Sequence, residues 1–282
     1  MTTTPTTPSG PADPPTGTVR VETPRDGVRV VTLDRSERLN TLDVTLVQRL
    51  HRTLDEIAAD PTCRVVVLTG AGRAFSAGLD LGGYGDPERD ERLGRTLATL
   101  ERQREIAALT ERLHSLPQPV IAAVNGPAAG GGLALVCASD VRIAAEGAVF
   151  AVSFIRAGFS ACDIGVSWLL PRIVGAGAAH ELMLTGRRFD AVEAHRIGLV
   201  VEVVAPEALL DVALAKAEEI MLNGPIQVEL TKEGMWLALE VPSLRTMIEL
   251  ENRQQVITAL TEDSVEARRA FLEKRPPSFR GR

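Results

Sequence analysis

The sequence predicts an α/β fold with much parallel strand pairing, and three observations carry that expectation. Fully apolar runs alternate with segments whose apolar residues recur at three- and four-residue steps. Two of the runs end in glycine-rich loops. The alternation holds from about residue 27 to 150, after which helical patterns dominate, and strands alternating with helices are the pattern of a parallel sheet with crossover helices.

The elements follow in order. GVRVVTLD from Gly27 is a short β-rich run, and Val44, Val47, Leu50, Leu54 and Ile57 mark an amphipathic helix after it. RVVVLTG (64–70) is an apolar strand closed by glycine. The charged segment 88–116 reads as one helix through Leu93, Leu97, Leu100, Ile106, Leu109 and Leu113, ended by Pro117 and Pro119. PVIAAVNG is a third strand, GGGLALVCAS a short helix opening on glycine, and SDVRIAAEGAVFAV two strand pieces. Beyond Gly165 only LVVEVV (199–204) reads as a strand among helices. The organisation expected is a Thr/Pro-rich disordered leader (1–18), a core domain (19–205) and a helical C-terminal region (206–282).

Composition narrows the function. At 282 residues and 45% hydrophobic content the chain can bury one large core. Its net charge of −6, with Lys and Arg scattered, offers no footprint for nucleic acid or an anionic membrane. Three widely spaced cysteines (Cys63, Cys137, Cys162) without a CxxC argue against a disulfide framework or zinc ribbon and fit a reducing cytoplasm. The leader has neither a basic start nor an apolar core, so no signal peptide is expected. The apolar stretch Pro119 to Ala138 carries Asn-Gly-Pro and three consecutive glycines, whose backbone groups lipid could not satisfy.

Two loops stand out, GAGRAFSAGLDL (70–81) and NGPAAGGGLALVCASD (125–140), each leaving the carboxyl end of a buried strand, where open α/β sheets bind ligands. Glycine lets a ligand approach the main chain, and Gly131 sits near a helix N-terminus whose free N–H groups favour an oxyanion. Either loop alone could serve only tight turns. A dinucleotide fingerprint fails because Phe75 stands at the third glycine position and no helix starts there. A serine-hydrolase elbow fails because GAGRA separates Ser76 from its strand, leaving Ser76 as a turn residue. His51, His114, His180 and His195 lack metal spacing and read as structural, so no metal is expected.

Taken in order, FSAGLDL, PVIAAVNGPAAGGGLAL, CASDVRIA, GVSWLLPRIVG and ELMLTGRRFDAVEAHRIGLVVEVV resemble the crotonase superfamily of enoyl-CoA hydratases and isomerases, from about Val28 to the C-terminal EKRPPSFRGR. The resemblance implies a spiral of ββα units forming two sheets, a helical C-terminal trimerisation region and an acyl-CoA thioester ligand, with no cofactor beyond that substrate. It further implies an oxyanion hole from the backbone N–H groups of Leu79 and Gly131, with Ala77, Gly78, Asp80, Leu81, Gly130, Ala134, Phe154 and Trp168 around the substrate. Two preorganised donors suit a thioester enolate, each worth roughly 3 kcal/mol of barrier in measured cases.

The family's hydratases carry two glutamates, and the matching positions here hold Ala134 and Phe154, neither able to move a proton. Paired-carboxylate hydration is therefore not expected. Asp163 in SACDIG resembles the Asp of the family's dienoyl-CoA isomerases; it could equally cap the helix starting near Ile164. Tyr84 reads as an exposed loop aromatic, Cys162 as small core filler, and Asp80 and Asp140 as loop-stabilising acceptors. The leading expectation is a hydratase/isomerase-type lyase or isomerase of acyl-CoA and fatty acid metabolism, working through an oxyanion-stabilised enolate with Asp163 as base. A hydrolase of acyl-CoA, or of β-diketone or ring substrates, on the same fold and a non-catalytic acyl-CoA binding protein are the alternatives. Apolar stripes in the C-terminal third (Leu209, Leu210, Val212, Leu214 and Ile220; Leu244, Met247, Ile248, Leu250 and Val256) lead us to expect a homotrimer or a dimer of trimers.

Overall fold

The computed structural model describes residues 18–82, 84, 85 and 87–282, so the leader lies, but for Thr18, outside the described residues. The chain runs β1 (Val19–Glu22), β2 (Val28–Leu33), α1 (Val44–Ala58), β3 (Val65–Gly70), α2 (Pro87–Leu93), α3 (Arg95–Ser115) and β4 (Val120–Val124). It continues through β5 (Ala128–Ala129), α4 (Gly131–Ala138), β6 (Val141–Ala145), β7 (Val149–Ala151), α5 (Val166–Val174), α6 (Ala176–Thr185), β8 (Arg188–Asp190), α7 (Ala191–Arg196) and β9 (Glu202–Val204). Four helices close it, α8 (Leu209–Met221), α9 (Pro225–Leu237), α10 (Leu244–Ala259) and α11 (Glu262–Glu273).

The strands form a six-stranded sheet in the order β1-β2-β3-β4-β6-β9 and a three-stranded sheet β5-β7-β8. In the larger sheet only β1 pairs antiparallel; every other pairing is parallel. Parallel strands covered on both faces read as continuous apolar runs, and here the faces separate at period two. Val28, Val30, Val65, Val67, Ile121, Ala123, Ile143 and Ala145 pack with Leu209, Ala213, Leu214 and Ala217 of α8. Val31, Leu33, Val66, Leu68, Val120, Ala122, Val124 and Ala144 join the main core with α1, α3 and α4.

Two expectations are corrected. Segment 88–116 is two helices, because Gly94 at φ +74° breaks the run before α3, a conformation glycine adopts without steric cost. Leu97 and Leu100 consequently face solvent, and α3 meets the core through Ile106, Leu109 and Leu113. Of the α8 stripe, read as an oligomer surface, Leu209, Val212, Leu214 and Ile220 pack on this chain's own sheet, and Leu210 is exposed. The stretch 119–138 is divided among β4, β5 and α4, and among the described residues no helix is long and apolar enough to cross a membrane.

A buried polar cluster ties the C-terminal helices to the sheet. Asp140 Oδ2 accepts the Val120 N–H (2.7 Å) and pairs with Lys232 Nζ (2.9 Å), while its Oδ1 accepts from Trp236 Nε1 (2.8 Å). Lys232 Nζ also donates to the carbonyls of Leu113 and Gln118. Burial lowers the lysine's pKa, and the partly opposing influence is Asp140. Asp140 is thus the structural acceptor expected of it, and each donor offsets the desolvation that a buried carboxylate costs.

Candidate active site

The two glycine-rich loops leave the carboxyl ends of β3 and β4 and are laced together by main-chain hydrogen bonds. Ser76 N–H donates to Pro127 O (3.1 Å) and Ala129 N–H to Ser76 O (3.0 Å). Leu42, at the entry to α1, brackets the first loop, donating to Gly78 O (2.7 Å) and accepting from Asp80 N–H (3.0 Å). Ser76 is the turn residue expected, its buried hydroxyl donating to Asn40 O (2.8 Å). Asp80 is likewise an anchor. Its Oδ2 accepts from Arg35 (3.0 Å) and its Oδ1 from Gly82 N–H (3.1 Å). Burial would raise this carboxyl's pKa, but the Arg35 and Gly82 bonds with the Arg35 and Arg38 charges hold it below the ordinary value.

This lacing leaves two donors over. Among the described residues neither Leu79 N–H nor Gly131 N–H has an acceptor. Leu79 lies between the two bonds to Leu42, its own N–H directed away from them, and Gly131 opens α4, where the first-turn N–H groups have no intrahelical partner. The loops can approach this closely because Gly78, at φ +91°, has no side chain. A Cβ there would stand 2.7 Å from Ala129 O and 3.1 Å from the Gly131 nitrogen.

Both residues line one cavity of about 110 Å³. Of the expected site residues, Ala77, Leu79, Leu81, Gly130, Gly131, Phe154 and Asp163 form its wall. Phe154, at the second family glutamate position, is an apolar wall that is only 8% exposed. Asp163 is half-buried, and its Oδ1 accepts from Ile164 N–H (2.8 Å) and from Gln103 Nε2 (2.5 Å). The capping alternative fails in detail. Helix α5 has Gly165 at its N-cap with no side-chain bond, and it is the Asp163 carbonyl, not the carboxylate, that accepts from Val166 N–H (2.9 Å).

Four expected substrate-contacting residues are not in the wall. Gly78 and Asp80 support the loop from behind, and Ala134 is fully buried within α4, its lone methyl short of the cavity. Trp168 faces elsewhere, edge-on to His114 with ring centroids 5.9 Å apart and with the Arg172 guanidinium 3.9 Å over its ring. Tyr84 is a half-buried ring against the core whose hydroxyl has no partner among the described residues, and burial raises its pKa, with Glu105 adding to the effect. Cys162 is exposed, whereas burial pushes the Cys63 and Cys137 thiols up to about 11 and about 12. His51 Nε2 donates to Glu105 O (2.7 Å), and burial lowers the pKa of His51 and of His114.

Sequence reasoning missed Leu42, Gln103, Ile106, Phe159 and Ile164 in the wall. Gln103 and Ile106 stand three residues apart, a spacing that could have placed them on one helix face. Ile164 is a β-branched residue held at φ +34°, a strained left-handed conformation. Its side chain lies near Gly131, and a Cβ on that glycine would be 3.5 Å from Ile164 Cδ1.

A spiral core of this topology with a helical C-terminal region makes the protein a crotonase-fold chain. A sequence model of enoyl-CoA hydratase/isomerase matches residues 23–282. The chain belongs to the enoyl-CoA hydratase/isomerase family. It is 42% identical to a probable enoyl-CoA hydratase of Mycobacterium bovis over 93% of this chain and 92% of that one. With the 1,2-epoxyphenylacetyl-CoA isomerase of Escherichia coli it shares 37% identity over 91% of this chain and 96% of that one. The crystal structure of a probable enoyl-CoA hydratase/isomerase from Mycobacterium abscessus superposes with a TM-score of 0.88 at 38% identity, covering 94% of this chain and 99% of that one.

Proposed function

We propose that this enzyme is an acyl-CoA isomerase that shifts a proton within a thioester enolate, with Leu79 and Gly131 N–H groups as the oxyanion hole and Asp163 as the single base. The observation that carries the reading is one carboxylate sharing a cavity with two unpaired backbone donors, while Ala134 and Phe154 occupy the positions of the hydratase glutamates. A family relative that is itself a CoA-thioester isomerase fits it.

For a trans-3-enoyl-CoA, Asp163 takes a proton from C2. The C2–H electron pair enters the C1–C2 bond as the carbonyl pair moves onto oxygen, where the two N–H groups stabilise it. Asp163 then returns the proton to C4, the carbonyl re-forms and the double bond rests between C2 and C3. Nothing is gained or lost, so one carboxylate suffices where hydration would need a second group to handle water. Apolar walls from Leu42, Ile106 and Phe154 keep bulk water from the enolate.

Incubation with trans-2-enoyl-, trans-3-enoyl-, dienoyl- and β-ketoacyl-CoA esters tests the reading by mass spectrometry and absorbance. Isomerisation leaves the mass unchanged and alters the absorbance of the trans-3-enoyl or dienoyl ester. Gain of water overturns the reading in favour of hydration, loss of CoA in favour of a hydrolase, and binding without change in favour of a carrier.

The chain is proposed to work in the cytoplasm, in keeping with its free thiols, and to assemble as a homotrimer or dimer of trimers. Supporting the assembly, helices α10 and α11 and the turn between them leave Leu244, Ile248, Val256, Leu260, Phe271 and Leu272 exposed, apolar surface that partner chains would cover. Light scattering at micromolar concentration should give three or six times the 30.2 kDa chain mass, and a stable monomer would count against the assembly.

A further inference from the structure

We infer that Gln103 is a positioning residue that decides which oxygen of Asp163 handles the substrate proton; the inference rests on Asp163 being the base. Its amide lies on α3, its partner in the loop before α5, 60 residues along the chain, and Nε2 meets Oδ1 at 2.5 Å. A carboxylate has no donor to offer, so the amide must present its NH₂ group. The other bond to Asp163, from Ile164 N–H, falls on the same oxygen. Among the described residues Oδ2 has no hydrogen bond, and its lone pairs are left for a proton.

The placement of Gln103 is firm because its helix is. Glu105 is held by Gln48 (3.2 Å) and by His51 at its carbonyl (2.7 Å), and Arg102 is paired with Asp90 (2.6 Å). Ile106, one turn on, forms the cavity wall beside Gln103. The amide itself is exposed at the mouth, whereas Asp163 is half-buried. An acyl group entering the cavity displaces water from the carboxylate, and the amide then remains with Ile164 N–H to hold its rotamer. A base whose oxygen is fixed near the α-carbon gains from orientation, and a misplacement of 1 Å can cost about 100-fold in rate.

A double-mutant cycle on the full-length protein, with trans-3-hexenoyl-CoA as the probe, tests the role. Gln103→Met keeps the length and removes the donor. It should lower kcat about 10- to 100-fold with KM little changed. Melting temperature should stay near that of the parent, because the side chain is exposed. In the Asp163→Asn background the same change should alter kcat by less than about twofold, since a residue acting only through the carboxylate has nothing left to position. Equal losses in both backgrounds would overturn the role and make Gln103 a direct substrate contact. An unchanged kcat for Gln103→Met, with Asp163→Asn impaired, would overturn the positioning role and leave the base standing. Full activity in Asp163→Asn would remove the base, and the positioning role with it.

Discussion

Asp163→Asn should lose about 100-fold or more in kcat with its melting curve almost unchanged, the size of a general-base contribution. The amide has the shape of the carboxylate, and its oxygen can still accept from Ile164 N–H and Gln103 Nε2, the two bonds the carboxylate accepts. What it cannot do is take a proton. A structural role would show the opposite pattern, a shifted melting curve with activity per folded molecule intact. Because the carboxylate does not cap α5, little helix stability is at stake. Full activity on the ester that the substrate panel identifies would sink the assignment.

Gly131→Pro should cost about 100- to 1,000-fold in kcat, as removal of one oxyanion donor does elsewhere. The position favours the experiment, since Gly131 is the first residue of α4 and proline is tolerated at the first helical position, where the N–H has no intrahelical partner. Crowding is the confounder. A Cβ at Gly131 would stand 2.7 Å from Leu42 Cδ1, the far end of a flexible side chain. Gly131→Ala introduces the same Cβ and keeps the N–H, so it should retain most activity. Equal loss in the alanine and proline variants, with circular dichroism intact in both, would assign the effect to crowding and take the N–H out of the mechanism.

Much of the proposed site was legible because the donors proposed for it are backbone groups. Glycines in GLDL and AAGGG mark where the chain must pass close to itself, and the strands before them place those passages at the carboxyl end of the sheet. Which residues in them offer the donors, Leu79 and Gly131, came from the family resemblance, and the structure finds their N–H groups without acceptors among the described residues and lining one cavity. Asp163 was nameable only through the family resemblance, with capping as an equal reading, because the bonds of one aspartate before a helix depend on the turn it adopts.

The sequence by itself determined the parallel sheet, since valine-rich runs such as VVVLTG can only be buried on both faces, and it determined that both loops leave strand ends. Tertiary structure alone decided what each apolar or polar face meets. Most of the α8 stripe packs on the chain's own sheet, Trp168 packs on His114 instead of the cavity, and Gln103 meets Asp163 from another helix. Periodicity records that a face is apolar and where it lies on its helix, but the neighbour is set by how helices and loops dock, and a hydrogen bond between residues far apart in sequence exists only once both elements are in place.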